Sequence, residues 1–390
     1  MSLADSLQAN FYSAFRCIGD ACEDTCCHGW GISVDKATYG RYQQVTDVVL
    51  QPKLQQLVTI KNTNSDSAYA AIQLDGDRCP FLDKGLCGIQ KRLGEDYLCH
   101  TCATYPRIQN SVEGRIESSL ELSCPEAARL TLRDERPLDF GQPLSGVRGL
   151  VLSLLQNRNY AISKRLVLVG HVCDKWAELQ SELDRQQFLQ GFALAVKCGL
   201  YDAHLHSLTV DPAKQLMLAL DLMVARVQLD YTLPHYLELY RDFVDGLGLK
   251  AGASAEIFGA RYQAAYEAYY APFMAKHQHM LEHYLVSYAF KTMFPFGLPP
   301  VNKLLNLPNP QGTPVAQYML MASYFAISKA VMIGLAAKHK SEFSANHVVR
   351  SIHSISRTLE HCASYPKHLL EILASKGIRN SCGMAILTQN

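Results

Sequence analysis

The chain has 390 residues, a length typical of two or three domains or of one large core with an appended module. Hydrophobic residues make up 48% and charged residues 19%, which excludes a disordered, collagen-like or coiled-coil chain. Because 37 Lys and Arg balance 36 Asp and Glu, the net charge is +1, and we expect neither nucleic acid nor a membrane surface as partner.

The sequence gives no indication of export or membrane insertion. The N-terminal residues MSLADSLQANFYSAF lack the basic and apolar regions of a secretory signal. The longest apolar runs, at residues 216–224 and 331–337, fall short of the roughly 18 residues of a membrane span. We therefore expect a soluble, cytoplasmic protein.

Short elements separated by loops are predicted for the first third of the chain. The apolar side chains of Leu7, Phe11 and Phe15 predict a short helix that leads into a cysteine-rich loop ending at Trp30. Residues 38–60 are predicted to be helical, and residues 72–74 to form a strand that runs into a turn at 75–77. A small hairpin is predicted for residues 112–122, centred on a turn at residues 113–114.

From about residue 125 onward the hydrophobic pattern is that of helices. They are predicted near residues 150–170, 175–198, 211–228, 233–245, 254–271, 274–294, 314–338, 344–363 and 366–376. Asp211-Pro212 and Thr313-Pro314 are start signals, Gly377 is a stop signal, and residues 295–314 form one long irregular connection. The predicted fold is mainly α-helical: a loop-rich cysteine-cluster module with at most a few short strands (1–125) and a helical body (126–390).

The usual nucleotide-binding and hydrolase motifs are absent. Residues 166–170 (LVLVG) look like the strand and turn of a dinucleotide site, yet they lack GxGxxG and are better explained as a core helix or strand. Walker A, HExxH and GxSxG sequences are missing as well.

Cysteine carries the strongest chemical signal in the sequence. Nine of the 13 cysteines lie within the first 124 residues, at positions 17, 22, 26, 27, 79, 87, 99, 102 and 124. The odd count and the absence of an export signal disfavour disulfides, so metal-bound thiolates are the better interpretation, with coincidental buried thiols as the alternative. The spacing does not match a zinc ribbon or a zinc finger. It favours an iron-sulfur cluster, of the [4Fe-4S] type, with zinc as the alternative metal.

The predicted metal ligands are drawn from one pool of thiols, because a cubane cluster takes up to four of them. The pool consists of Cys22, Cys26, Cys27, Cys79, Cys87, Cys99 and Cys102. Four other cysteines stand alone on predicted helices and are expected to be dispensable: Cys173, Cys198, Cys362 and Cys382.

The cysteine motifs resemble those of the flagellin lysine-N-methylases. The resemblance rests on the segments FRCIGDACEDTCCHGW (15–30), CPFL (79–82), LCGIQ (86–90), CATYPR (102–107), LSCP (122–125) and YLVSYAFKTMFPF (284–296). A shorter part, the doubled cysteine with CPFL and C-x-x-Y-P, is shared with a broader cysteine-cluster family associated with zinc or iron chelation. The methylase resemblance covers most of the chain.

This resemblance implies methyl transfer from S-adenosylmethionine to lysine side chains of flagellin, with an iron-sulfur cluster on the cysteines. Both the radical CxxxCxxC signature and the common methyltransferase glycine loop are missing. Polar in-line displacement by a deprotonated lysine suffices, and a cluster with one open iron could hold the amino and carboxylate groups of the cofactor. The alternatives are a cluster or zinc ion that only joins loops, and a metal carrier or scaffold without transferase activity.

The catalytic candidates come from a tyrosine-rich region. Tyr262, Tyr266, Tyr269 and Tyr270 have helical spacing, which is typical of a core stripe or, alternatively, of an aromatic channel for a lysine ammonium or a sulfonium. The candidate catalytic residues are Tyr266, Tyr270, Tyr284 and Tyr288.

Other polar residues have weaker signals. Arg107 either pairs with the cofactor carboxylate or binds a loop carbonyl. Glu267 and Glu282 are expected to be solvated helix charges rather than carboxylates beside the channel. His279 and His283 lie one helical turn apart but lack a third metal ligand nearby, so they are expected to be surface or partly buried histidines.

Overall fold

The computed structural model describes residues 6–62, 65–229, 232–250, 252–298 and 314–388. The chain is 63% helical and 9% strand, with the short strands in the N-terminal region. The predicted mainly helical fold class is therefore confirmed.

The described elements are as follows. The strands are β1 Ser6–Gln8, β2 Ile32–Val34, β3 Val58–Ile60, β4 Ala70–Ile72, β5 Leu82–Asp83, β6 Leu86–Cys87, β7 Arg107–Val112 and β8 Arg115–Leu120. The helices are α1 Lys36–Gln43, α2 Leu50–Leu57, α3 Gly88–Leu93, α4 His100–Thr104, α5 Pro125–Arg133, α6 Gly146–Leu155, α7 Ile162–Glu178, α8 Glu182–Lys197, α9 Asp202–Ser207, α10 Pro212–Leu229, α11 Pro234–Leu247, α12 Ala255–Ala265, α13 Ala271–Lys291, α14 Pro314–His339, α15 Ala345–Ile355, α16 Tyr365–Ser375 and α17 Ser381–Thr388. Two π-helical turns, Tyr266–Tyr270 and Ser356–Glu360, follow α12 and α15.

The first sheet has the order β1-β8-β7, and it contains the predicted hairpin. β7 and β8 are antiparallel and meet at Glu113 and Gly114, whose positive φ angles of 50° and 82° suit a tight hairpin turn. The predicted N-terminal helix is wrong, because Leu7 lies in β1 and pairs in parallel with Glu117. Its apolar residues are nevertheless buried in the larger hydrophobic core.

The second sheet has the order β2-β4-β3. The single helix predicted for residues 38–60 is wrong, because the end of this segment belongs to the sheet. The segment instead forms α1, α2 and β3. Asp47 starts α2, since its Oδ1 accepts the backbone N–H of Leu50 at 2.9 Å. Residues 58–60 then pair antiparallel with β4, a long-range contact that local helix propensity does not reveal.

Several predicted helix ends are confirmed, but two breaks were missed, one of them at residues 179–181 within the helix predicted near 175–198. Asp211 caps α10 through a 2.9 Å bond from Ala213 N–H, and Gly377, with φ of 78°, follows the end of α16. The LVLVG segment lies inside helix α7. The helix predicted near 150–170 is wrong in its middle, where residues 156–161 separate α6 from α7. Thr313 and most of the 295–314 connection lie outside the described residues.

The described side chains form two hydrophobic cores. The smaller one gathers residues between Ile32 and Cys99, including Cys79 and Phe81. The larger one joins the helices to residues of the first sheet and to the segment from Leu120 to Cys124. The division of the chain at residue 125 stays a prediction.

Helix α14 lies at the centre of the larger core. The segment Pro314–Glu342 is long and apolar enough to cross a membrane by length and composition, but the apolar 18-residue stretch within it is entirely buried inside the fold. The apolar run is longer than the sequence analysis recognised, because Ser323, Ser328 and Lys329 interrupt it while remaining buried. Against α11 the contact is very close: a Cβ on Gly246 would lie 2.0 Å from the carbonyl oxygen of Gly334.

Candidate functional site

Backbone hydrogen bonds bring the two predicted cysteine loops together. Cys79 N–H donates to Cys27 O at 2.8 Å, and Gly29 N–H donates to Asp77 O at 2.8 Å. An isolated antiparallel bridge joins His28 to Arg78 between these bonds. The loop after Cys26 and the loop before Cys87 thus pair like two short strand ends, and their thiols face one another.

Six of the seven predicted ligands form one group, which we call the six-thiol group. The Cys27 thiol is hydrogen-bonded to those of Cys26 and Cys79. Cys99 is hydrogen-bonded to Cys102, and the Cys87 thiol interacts electrostatically with Cys26 and Cys99. The group therefore consists of Cys26, Cys27, Cys79, Cys87, Cys99 and Cys102.

Contacts within the six-thiol group favour thiolates at two positions. The hydrogen bond from Cys102 lowers the pKa of Cys99 to about 7, despite the opposing effect of burial. The hydrogen bond from Cys27 likewise lowers the pKa of Cys79. At Cys87 burial raises the pKa, although nearby backbone amides act against it. Because a metal binds the thiolate rather than the thiol, Cys79 and Cys99 are prepared for ligation.

Cys22 lies in a different environment from the rest of the predicted pool. Its thiol interacts with Cys17, and the thiol of the buried Cys124 interacts with both. Burial raises the pKa of Cys22 and brings that of Cys124 to about 12. Cys17, Cys22 and Cys124 thus form a second, smaller group.

The six-thiol group fits an iron-sulfur cluster by the chemistry of its donors. It offers more soft thiol ligands than the four that a cubane takes. The sulfurs also face backbone amides, those of Phe81 at Cys79 and of Ile89 and Gln90 at Cys87, which are the donors that stabilise bound thiolates. The choice between iron-sulfur and zinc stays a prediction.

A cavity of about 520 Å³ adjoins the first cysteine loop. This volume lies within the roughly 300–1,000 Å³ typical of small-molecule sites. Its described lining comes from both parts of the chain: Gly29, Trp30, Gly31, Leu74, Gly76, Asp77, Arg226, Leu233, Arg357, Thr358, His361, Cys362 and Ala363. Of the predicted catalytic tyrosines and Arg107, none belongs to this lining.

Arg357, on the π-helical turn after α15, connects the cavity to the first cysteine loop. Its Nη2 donates to the carbonyl oxygens of Thr25, at 2.5 Å, and His28, at 2.9 Å. Its Nη1 donates to Asp24 Oδ2 at 2.5 Å, and the guanidinium lies 4.7 Å from the Trp30 ring centroid. The buried Nε has no hydrogen-bond partner among the described residues. π-Helical turns often occur at functional sites.

Asp24 also contacts two histidines of the helical body. Burial would raise the pKa of this carboxyl, but the hydrogen bond from His353 and the charge of Arg357 hold it well below its usual range. Asp24 Oδ2 lies 3.1 Å from His353 Nε2 and 3.9 Å from His235 Nε2, so the three ligand atoms lie within 4.8 Å of one another. Because Arg357 binds the same carboxylate oxygen, the cluster is an ionic contact between the cysteine loop and the helical body.

A buried polar network begins at the cavity wall. His361 Nε2 lies 2.9 Å from Ser123 Oγ and 4.0 Å from Glu121 Oε2. Lys291 Nζ, which is buried, lies 2.5 Å from Glu121 Oε2 and 2.6 Å from Glu360 Oε2. The Tyr284 hydroxyl donates to Glu360 Oε1 at 3.2 Å. Ionisable groups therefore extend from the cavity into the helical core.

The four predicted catalytic tyrosines lie in two places. Tyr284 and Tyr288 are buried beside the polar network, and the Tyr288 ring lies 6.0 Å from Lys291 Nζ. Tyr266 and Tyr270 lie on the first π-helical turn, with ring centroids 5.6 Å apart. Burial raises the pKa of all four phenols. Their catalytic role stays a prediction.

Lys329 of α14 lies next to this first π-helical turn. Its Nζ is 5.6 Å from the Tyr266 ring centroid, and only 5% of the residue is exposed. Burial lowers its pKa to about 7. No carboxylate in the described ranges is within ion-pair distance of it.

The remaining predicted residues have structural contacts. Arg107 donates to Phe15 O at 3.1 Å. This contact matches the second of its two predicted roles, binding of a loop carbonyl. The prediction that Glu282 is solvated is wrong: it is 1% exposed and lies 2.7 Å from the buried Arg165. His283 is buried and bonded to Thr131 O at 2.8 Å, rather than lying at the surface.

Sequence reasoning missed the polar residues of the second π-helical region. His353, Arg357 and His361 recur every four residues, and so share one face of the predicted helix 344–363. Burying polar side chains on one helix face costs free energy unless they have hydrogen-bond partners. Their four-residue spacing was therefore the sequence signal that could have indicated a polar site.

Comparisons with known proteins identify the family of the chain. Residues 148–387 match the FliB lysine N-methylase C-terminal domain. The chain is 33% identical over 155 residues to the flagellar biosynthetic protein FliU of Salmonella muenchen, covering 39% of this chain and 92% of that protein. It is 36% identical over 126 residues to lysine-N-methylases of Salmonella typhimurium (strain LT2) and Salmonella choleraesuis (strain SC-B67), covering 32% of this chain and 31% of each relative.

The match to the two lysine-N-methylases thus spans about a third of their length. No solved structure matches the chain significantly. The family model, however, covers more than half of the chain and includes the cavity residues from Arg226 to Ala363. The chain therefore belongs to the FliB lysine N-methylase family, as its cysteine motifs had indicated.

Proposed function

We propose that this protein transfers methyl groups from S-adenosylmethionine to lysine side chains of flagellin. The observation that carries the proposal is the cavity of about 520 Å³, because it joins the first cysteine loop to the segment that matches the lysine N-methylase family. Relatives named lysine-N-methylase and flagellar biosynthetic protein support the reaction and the flagellar substrate.

Within this proposal, Arg357 and Trp30 hold the cofactor. The guanidinium lines the cavity, and its orphaned Nε is available to the carboxylate of S-adenosylmethionine. The Trp30 ring offers an aromatic face, and such faces attract sulfonium and ammonium groups. Arg107, whose guanidinium already binds the Phe15 carbonyl, is a weaker candidate for this role.

The six-thiol group holds an iron-sulfur cluster in this proposal. Three or four ligands come from Cys26, Cys27, Cys79, Cys87, Cys99 and Cys102, with zinc as the alternative metal. A cluster with one iron free of protein thiolate would supply a binding position for the amino and carboxylate groups of the cofactor.

The test is methylation of flagellin by protein prepared under anaerobic conditions. We expect mass spectrometry of flagellin to show added methyl groups, together with iron near cluster stoichiometry in the enzyme. Cys27→Ser should remove both iron and transfer, because Cys27 bonds to two thiols of the group. Cys198→Ser is the matched control, an exposed cysteine outside the group, and should keep both.

Three outcomes separate the alternatives. Bound iron or zinc without any transfer by the wild-type protein would make it a metal carrier or scaffold. Loss of iron in Cys27→Ser with full methylation would leave the metal only a structural role. Absence of any metal from the wild type would refute thiolate ligation.

A further inference from the structure

We propose that His361 is the general base that removes the proton from the substrate lysine. This inference rests on the proposed function, since it assigns a role in the same cavity. A lysine side chain has a pKa near 10.4, so only about 0.04% of it is the neutral amine at pH 7. Methyl transfer to nitrogen therefore needs a group that accepts the proton close to the reacting atoms.

The position of His361 suits this role. It follows the second π-helical turn and lines the cavity, where its ring centroid lies 5.2 Å from that of Trp30. Its Nε2 is bonded to Ser123 Oγ at 2.9 Å, and no hydrogen-bond partner for Nδ1 is found among the described residues. The proposal takes the tautomer in which Nε2–H donates to Ser123 Oγ, which leaves Nδ1 free to accept a proton.

The surroundings of the imidazole favour its neutral form before the reaction and stabilise its protonated form afterwards. The surrounding protein desolvates the ring and lowers its pKa, although 31% of the side chain is exposed. Glu121 and Glu360 favour the imidazolium, whereas Lys291 and Arg357 oppose it. The neutral base therefore predominates at neutral pH, and the nearby Glu121 carboxylate stabilises the ring once it is protonated.

The reaction balances with His361 as the proton acceptor. The lysine ammonium gives one proton to Nδ1 and becomes a neutral amine. Its nitrogen forms a bond to the sulfonium methyl, the methyl–sulfur bond breaks, and that electron pair stays on sulfur. The products are a methylated ammonium, a thioether and the imidazolium of His361, which returns its proton to solvent.

The tyrosines are poorer candidates for this step. A phenol acts as a base only after it is ionised, and burial raises the pKa of Tyr270, Tyr284 and Tyr288 well above the usual value. None of them lines the cavity in the described part of the chain. Asp77 is an alternative carboxylate at the cavity wall, and it enters the test as a separate variant.

The decisive measurement is the pH dependence of methylation rate. Initial rates with purified flagellin and saturating S-adenosylmethionine are compared from pH 6.5 to 9.5 for wild type, His361→Gln, Asp77→Asn and His368→Gln. His368 is the matched control, because it is a partly exposed histidine on α16 whose described ion-pair partner is Glu371, at 3.6 Å. Calorimetric titration with S-adenosylmethionine reports cofactor binding in each protein independently of activity.

We expect the wild-type rate to be nearly constant above pH 7.5. His361→Gln should lose about a hundredfold or more at pH 7 and then gain about tenfold per pH unit, because only lysine already deprotonated by solvent can react. Its cofactor affinity should be unchanged. His368→Gln should follow the wild type, and Asp77→Asn should keep the wild-type shape of the pH profile whatever its absolute rate.

Other outcomes overturn the assignment. A wild-type profile for His361→Gln, the same profile shape at a reduced rate, or the expected loss in Asp77→Asn instead would each exclude His361 as the base. If His361→Gln does not fold, His361→Ala with added imidazole replaces it, and a rate that ignores imidazole excludes the base. Absence of transfer by the wild type at every pH contradicts the proposed function rather than this residue's role.

Discussion

At the scale of single residues, Lys291 shows how the helical core tolerates buried charge. Burial alone would raise the pKa of Glu121 and lower that of Lys291, but their mutual attraction outweighs it, so the Glu121 pKa is lowered and the Lys291 pKa is raised. Lys291→Met would leave two carboxylates buried without their cation. We expect a loss of about 3–5 kcal/mol in the free energy of unfolding, measured by urea denaturation at pH 7.

The pH dependence of this effect has a definite sign. Stability from a carboxyl with a lowered pKa is present above its usual value and is lost as pH falls through the lowered one. Acidification also protonates the repelling carboxylates of Lys291→Met, so the difference between the two proteins should shrink below about pH 4. Lys338→Met, which breaks a partly exposed pair with Asp242, is the control and should cost less than about 1 kcal/mol. An equal loss in both variants would contradict the argument.

At the scale of elements, the α11–α14 crossing depends on two glycines. A Cβ on Gly334 would lie 2.5 Å from Phe243 Cδ2 and 2.9 Å from Phe243 Cα, so Gly334→Ala must push the helices apart. We expect it to destabilise by about 1–3 kcal/mol in thermal and urea unfolding. Gly191→Ala in α8 meets nothing within 4 Å and should stabilise by about 0.5–1 kcal/mol. Stabilisation by both substitutions would show that the crossing relaxes freely.

The elements that sequence predicted correctly are those with local causes. The 107–120 hairpin has its turn glycine, and α10 and α16 have their own end signals. Strand β1 was missed because its partner β8 lies far along the chain, and strand β3 was missed because it directly follows helix α2. The first π-helical turn precedes Pro272, which lacks the N–H of a regular helix, yet its position also depends on packing against α14.

At the scale of the whole molecule, the two cores should respond differently to metal removal. The smaller core includes Cys79 and Cys99, and ligand binding that requires folded loops contributes to folding free energy. Hydrogen exchange before and after chelation should show faster exchange in residues 32–102 than in α10, α11 and α14. Equal loss of protection in both regions would mean that the metal stabilises the entire chain as one unit.

The candidate site was predictable only in part. Thiols are chemically distinctive, so the predicted pool contained all six members of the six-thiol group, but it also contained Cys22, which lies with Cys17 and Cys124. The cavity depends on contacts between residues 24–31 and 353–363, which lie more than 300 residues apart. In the sequence, Arg357 and His361 look like ordinary helix residues. Only the packing of the first cysteine loop against them makes them part of a cavity.

The three hydrogen bonds from Arg357 to the first cysteine loop have a thermodynamic consequence. They make the wall of the cavity and the backbone beside Cys26 and Cys27 parts of one ordered structure. Any molecule that the cavity binds better when this loop is ordered must raise the affinity of the thiols for metal. By reciprocity, metal at the thiols raises the affinity of the cavity for that molecule by the same factor.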